Sequence, residues 1–293
     1  MNDHALGEWL ALREATDAAS RSADLTERLA DALGPHDPLR VLDLATGTGS
    51  NIRYLLERLP ARRQEWLALD RSSTLLSLLP ARLEIWGTVT GHDVAADSTA
   101  SVIRGNHVEA RVETRQMNLS GLAELDTVGP CHLVTASALL DLVSARWLES
   151  LAAWCRRAHA AALFTITYNG RSTCQPAEPE DALVLALFNE HQRTDKGLGG
   201  RAAGPDAPVD ARRAFTDAGF EVHSAPSDWH LGPEHPAFQR GLIDGWASAA
   251  SEIAPDKATT IEDWRRRRLA HVETGRSQVT VGHDDVAAWL PQL

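Results

Sequence analysis

Residues 41–51, Val-Leu-Asp-Leu-Ala-Thr-Gly-Thr-Gly-Ser-Asn, place one carboxylate, Asp43, in an aliphatic run and follow it with Gly47 and Gly49. Glycines let a backbone turn sharply and approach a ligand with no side chain in between. A helix opening near Ser50 would offer unpaired N–H groups to an anion or a carboxylate. A second apolar run, Glu-Trp-Leu-Ala-Leu-Asp, closes on Asp70. A carboxylate there can accept two hydrogen bonds from a ribose diol. The pair fits a nucleoside-bearing ligand at the carboxyl edge of a parallel sheet, and two ligand classes qualify. For a dinucleotide, the G-x-G-x-x-G fingerprint fails at its third glycine, where this chain has Ile52. Asp43 would also set negative charge near a pyrophosphate. A nucleoside carrying a sulfonium and an α-ammonium would instead be attracted to it.

Strands and helices must alternate to hold these groups. Residues 6–33 read as one or two amphipathic helices, with Ser22 as a cap and Gly34-Pro35 as a stop. The chain then reads as a strand at 39–45, a helix at 50–60 ended by Pro60, a strand at 65–70 and a helix at 72–87. Residues 87–111 are polar and unassigned. A third strand follows at 110–119, a very apolar fourth at 131–140, a helix at 145–159 and a fifth strand at 161–169. Strands alternating with helices imply parallel crossover units covered on both faces. Beyond residue 169 come a helix running into a Gly-rich loop, then helix, Gly turn and strand over 210–231. Helices follow near 236–253 and 260–275, and a terminal strand at 277–290. Thr259-Thr260-Ile261-Glu262 has a capping-box pattern for the second of those helices.

In this order the motifs resemble those of class I S-adenosylmethionine-dependent methyltransferases. "VLDLATGTGSN" is similar to their first motif, with Ala45 where the family usually has glycine. "LALDRS" resembles the second, making Asp70 the ribose acid with Arg71 after it. "RQMNLS" resembles the third, with Asn118 in place of an acid and Leu119 following. "HLVTASALLDLVS" resembles the fourth strand, whose tip (Ser137, Ala138, Leu139) lines the pocket between cofactor and acceptor. The resemblance implies an α/β fold: a doubly wound, seven-stranded, mostly parallel sheet, Rossmann-like, with helical lid insertions. It implies a helical cap at 1–38 and a methyltransferase domain at 39–293, with insertions at about 170–210 and 236–275. The implied cofactor is S-adenosylmethionine, held by Asp43, Ala45, Thr46, Gly47, Gly49, Asp70, Arg71, Asn118, Leu119 and Ser137, with methyl transfer to a small-molecule acceptor. A non-catalytic protein binding the same cofactor, and a nicotinamide-dependent reductase, are the alternatives.

Other residues are weighed on their own chemistry. Arg13 and Arg21 on the first helices could cap the site, with Arg13 gripping the cofactor carboxylate bidentately, or lie on a solvated face. Trp9 could stack on a substrate, though core packing is the default for Trp. The polar stretch 189–197 holds His191, a candidate general base, and Asp195 and Lys196, candidates for orienting a polar substrate. Asp141, just past the fourth strand, is a second base candidate. Tyr168 and Asn169 end the fifth strand on the productive edge, and His230 is a further substrate candidate. His283, Asp284 and Asp285 offer metal-capable groups without a partner cluster, so no metal is assigned. Trp264 to Arg268, Trp-Arg-Arg-Arg-Arg, spreads its charge around a helix rather than along one stripe, and acid pairing is expected.

The formal net charge of -11 argues against broad phosphate contacts with nucleic acid. Three cysteines without metal-ligand spacing suit a reducing compartment. No signal-like segment or membrane-length apolar run is seen, so a cytoplasmic protein, monomer or homodimer, is expected.

Overall fold

The computed structural model describes residues 2–96 and 100–291. One sheet organises them, in the order β3-β4-β5-β2-β1-β6-β7-β10-β8, with β9 pairing β10 at its margin. Its centre is parallel: β5 (Glu109–Gln116), β2 (Arg63–Asp70), β1 (Leu39–Leu44), β6 (Leu133–Ser137) and β7 (Ala161–Gln175). β10 (Gln278–Trp289) runs antiparallel between β7 and β8 (Glu221–Pro226). The α/β, doubly wound, mostly parallel sheet is therefore as expected, but among the described residues it has ten strands rather than seven. The extra ones are the hairpin β3 (Asp93–Ala96) and β4 (Ala100–Arg104), added to the free edge of β5, and the three-residue β9 (Trp229–Leu231). The hairpin lies in the polar stretch left unassigned, because an edge strand exposed on one face needs little apolar sequence.

Both faces of the sheet are covered, and β1 shows why its sequence is aliphatic apart from Arg40 and Asp43. Leu39 and Val41 pack on one side with α2 (Ala23–Leu33), α3 (Ser50–Leu55) and α4 (Ser73–Thr90). Leu42 and Leu44 pack on the other with α5 (Ala145–Ala158) and α7 (Ala207–Asp217). A strand buried on both faces has no polar phase to its alternation. α2 starts at Ser22, whose Oγ accepts from the Leu25 N–H at 3.1 Å, and stops at Gly34. α3 ends at Leu55, earlier than Pro60 suggests. α4 runs through Gly87, which is a gap receiving Val94 of β3 rather than a stop. The capping-box pattern does not cap: α9 (Ala258–Glu273) begins at Ala258, after a 3₁₀ turn at Pro255–Lys257.

A third core lies beyond the sheet. β7 continues to Gln175, six residues past the end expected from sequence. Its extension and β10 carry α6 (Asp181–Gln192), α8 (Pro236–Ile253) and α9 around Trp229, Phe238, Trp246 and Trp264. Arg268 is fully buried there; it bonds both Asp181 oxygens and donates to Pro176 O at 2.6 Å. All four arginines of 265–268 pair with acids. Asp285, buried in β10, accepts from Ile166 N–H of β7 at 2.8 Å and from Ser22 N–H at 2.9 Å. The end of α1 (Asp3–Ser20) is thereby pinned to the sheet. No helix among the described residues is long and apolar enough to cross a membrane.

Candidate functional site

The tips of β2, β1 and β6 stand side by side at the carboxyl edge of the sheet, and α1 roofs them. Between roof and edge lies a cleft of about 460 Å³, within the usual range of small-ligand sites. α1 comes very close to the glycine turn: a Cβ on Gly47, whose φ is +56°, would sit 2.9 Å from Leu10 Cδ1. Gly49, at φ +81°, donates to Thr46 O at 2.9 Å and leads into α3 without lining the cleft. Ala45 adopts φ +50°, the left-handed region that glycine enters freely and alanine only at a cost of about 1 kcal/mol.

The two acids found from sequence differ in what they have left to offer. Asp43 is fully buried; its oxygens accept from Thr46 Oγ1 at 2.6 Å and Asn51 Nδ2 at 2.7 Å. Burial pushes its carboxyl up to about 6, against the pull of those bonds. Each oxygen carries one bond, as in Asp70, so what sets Asp43 apart is its complete burial at the base of the turn it braces. Asp70 accepts from Gly47 N–H at 2.9 Å and from Ser72 N–H at 2.8 Å, one bond on each oxygen. Each carboxylate oxygen has a second lone pair, so Asp70 can still receive a diol.

The structure supplies a third acid that sequence reasoning did not single out. Asp17, one helical turn after Arg13, accepts from Arg13 Nε at 2.8 Å through Oδ2, while its Oδ1 is buried without a partner. Both residues line the cleft. Among the described residues the Arg13 terminal nitrogens carry no hydrogen bond, and the guanidinium lies 5.2 Å from the centre of a Trp229 ring. An acid–base pair with one free end of each sign is complementary to a zwitterionic amino-acid head. With Asp70 for a ribose and the Gly47 backbone between, the residues present fit S-adenosylmethionine. The i, i+4 spacing of Arg13 and Asp17 was a readable signal. Arg21, read from sequence as part of the same cap, is buried and bonds Asn51 Oδ1 at 2.8 Å and Ser137 Oγ at 3.1 Å. It ties the roof to the start of α3 and to the β6 tip. Burial pulls its guanidinium below the usual range, and Asp17 opposes that most strongly.

Of the other residues chosen from sequence, Trp9, Arg71, Leu119, Ser137 and Lys196 line the cleft with Ala45 and Thr46. Trp9 also packs edge-on against Phe238 at 5.1 Å. Asn118 does not line it; its oxygen accepts from Ser120 N–H at 3.0 Å within its own turn. His191, the first base candidate, is turned away, with Nε2 3.2 Å from Glu252. Its helix presents that face to α8, which the local polarity of 189–197 cannot reveal. Asp195 caps Gly197 N–H at 2.7 Å. Tyr168 donates to Asn189 Oδ1 at 2.8 Å inside the third core, and Asn169 donates to Asp284 at 3.3 Å. His230 is exposed beside Thr280. Tyr168 and Asn169 lie outside the cleft because β7 runs past the sheet edge instead of ending there, and Asp195 and His230 do not line it either. His283 is buried against Trp229, and burial, aided by Arg13, pushes its imidazole down to about 3. Asp141 sits directly behind the cleft-lining Leu139 and Leu142, 8% exposed. Gln192 Nε2 is its marginal partner at 3.5 Å, and burial pushes its carboxyl up to about 6.

No family model matches this chain, and a search of curated proteins finds no match. Among solved structures the chain is similar to a putative methyltransferase from Bacillus halodurans, at 14% identity over 91% of this chain and 97% of that one, TM-score 0.48. It is similar to an S-adenosylmethionine-dependent methyltransferase from Geobacter sulfurreducens solved with S-adenosyl-L-homocysteine, at 14% identity over 96% and 98%, TM-score 0.43. It is also similar to a cyclopropane synthase from Mycobacterium tuberculosis, at 12% identity over 89% and 82%, TM-score 0.44.

Proposed function

We propose that the chain is an S-adenosylmethionine-dependent methyltransferase acting on a small-molecule acceptor. One observation carries the reading: the Arg13–Asp17 pair faces the same cleft as Asp70 and the Gly47 turn. That set takes a nucleoside at one end and an amino-acid head at the other. A pyrophosphate finds no such complement, since the turn is backed by Asp43 and flanked by Asp70.

The cofactor supplies a methyl group on a sulfonium; an acceptor lone pair forms the new bond as the carbon–sulfur bond breaks, its electron pair staying on sulfur. The chain's own part is alignment and exclusion of water. Asp70 and the turn fix the nucleoside, Arg13 and Asp17 fix the amino-acid end, and α1 covers both. Asp141, beneath Leu139 and Leu142, is the group at the β6 end able to hold a proton near neutral pH. His191 has no part in this scheme.

Thermal-shift titration with S-adenosylmethionine, S-adenosylhomocysteine and NADPH tests it. A ligand at a hundredfold excess over its Kd stabilises by about 2.7 kcal/mol. We expect both sulfur nucleosides to raise Tm and NADPH to leave it unchanged. A response to NADPH alone overturns the proposal. A response to the sulfur nucleosides without methyl transfer to any small molecule points to a non-catalytic binder.

A further inference from the structure

The cleft runs from the β2 tip, past β1, to the β6 tip, and its charge changes along that line. Asp3, Asp43 and Asp70 lie at the β2 and β1 end, with Arg71 as the cation beside them. At the β6 end the wall is apolar, built from Leu139, Leu142 and Leu198, and Lys196 is set into it. Lys196 differs from the other cation near this end. Arg13 is held by the Asp17 carboxylate, but the Lys196 ammonium is held by neutral acceptors: His191 O at 2.9 Å, Thr194 Oγ1 at 2.9 Å and His191 Nδ1 at 3.4 Å. Among the described residues no carboxylate lies within ion-pair distance of it. Its charge is positioned and partly withdrawn from water, and the carboxylates that act on it, Glu252 and Asp141, do so through space rather than in contact.

Resting on the methyltransferase reading, we propose that the acceptor is a small apolar acid whose carboxylate is recognised by Lys196. An ammonium fixed by neutral groups keeps its full attraction for an anion, and the low dielectric of an apolar wall strengthens it. Burying a cationic or neutral polar group of the acceptor there would leave it facing like charge or without an acceptor, which costs more than the lost contact. The local cation matters because the chain as a whole, at a net charge of -11, repels anions at long range. Physiological salt confines that repulsion to about 8 Å. The Leu139–Leu142–Leu198 wall then takes the apolar body, and the Arg13–Asp17 pair remains with the cofactor.

The test is isothermal titration of protein saturated with S-adenosylhomocysteine, using phenylacetate, 3-phenylpropionate and octanoate. Each is compared with its amide and with the amine of the same carbon skeleton. We expect at least one carboxylate to bind tenfold or more tighter than both its counterparts. In Lys196→Met that preference should fall below threefold and in Lys196→Arg largely return, with the S-adenosylhomocysteine Kd changed less than threefold in either. Amides or amines binding as well as the acids, no binding by any acid, or a preference that survives Lys196→Met overturns the proposal. Failure of S-adenosylhomocysteine to bind the unmutated chain is a different result and counts against the methyltransferase reading instead.

Discussion

Replacing Asp141 with asparagine isolates the cost of burying one carboxylate. Burial raises its carboxyl from 3.8 to about 6, about two pH units, while Arg13 and Lys196 pull the other way. At about 1.4 kcal/mol per unit this is on the order of 3 kcal/mol. The sign follows from which state holds the proton longer. Between about pH 4 and 6 the folded chain keeps a proton that the unfolded chain has lost, so stability falls as pH rises through that window and stays reduced above it. Asparagine has the same shape and no charge to bury. Gln192, at 3.5 Å, contributes too weakly to offset the gain. Asp141→Asn should therefore match the unmutated chain near pH 4 and exceed it by about 2–3 kcal/mol at pH 8, measured as urea midpoints at pH 4, 5, 6, 7 and 8. Asp43 and Asp285 are also raised by burial, so the wild-type profile alone does not isolate Asp141; the difference between the two chains does. A gap that is constant across pH, or a variant less stable at pH 8, would refute the assignment of a buried, proton-holding carboxyl.

Two further substitutions probe the roof and the third core. Gly47→Ala meets Leu10 and demands a left-handed alanine, so it should cost about 1–2 kcal/mol and weaken S-adenosylhomocysteine binding about tenfold by calorimetry. Adding Leu10→Ala should relieve only the steric share. Arg268→Met strands Asp181 with Trp264 Nε1 as its remaining side-chain partner at 2.8 Å and should cost about 3–5 kcal/mol in urea unfolding. Asp181→Leu in the same chain should recover part of that loss, and a full additive loss would show that packing, not the uncompensated charge, sets the cost.

The parallel centre of the sheet was legible because β1, β6 and the first half of β7 are buried on both faces, and a largely aliphatic run followed by glycines has few other readings. The glycine turn, Asp70 and the Ser22 cap follow from local chemistry. The β3–β4 hairpin did not show, since an edge ladder is held by backbone bonds that leave little mark on side chains. The helix read as far as Gly87 continues to Thr90, with Gly87 serving as a gap for Val94. The residues of 189–197 are polar as expected, yet polarity gives no direction: Lys196 faces the cleft and His191 faces α8. Asp17 was overlooked although its spacing from Arg13 was visible, because sequence shows that two side chains meet but not what lies beyond them.

The bond from Asp285 to Ser22 joins positions 263 residues apart, and it sets the order in which the molecule can become competent. β10 enters the sheet between two strands that precede it in the chain. Until it does, the hinge of α1 lacks this anchor, and the roof is held by Arg21 on Asn51 and Ser137 and by Glu14 on Arg53. The nucleoside affinity of the folded chain should therefore rise further when β10 inserts and fixes the hinge.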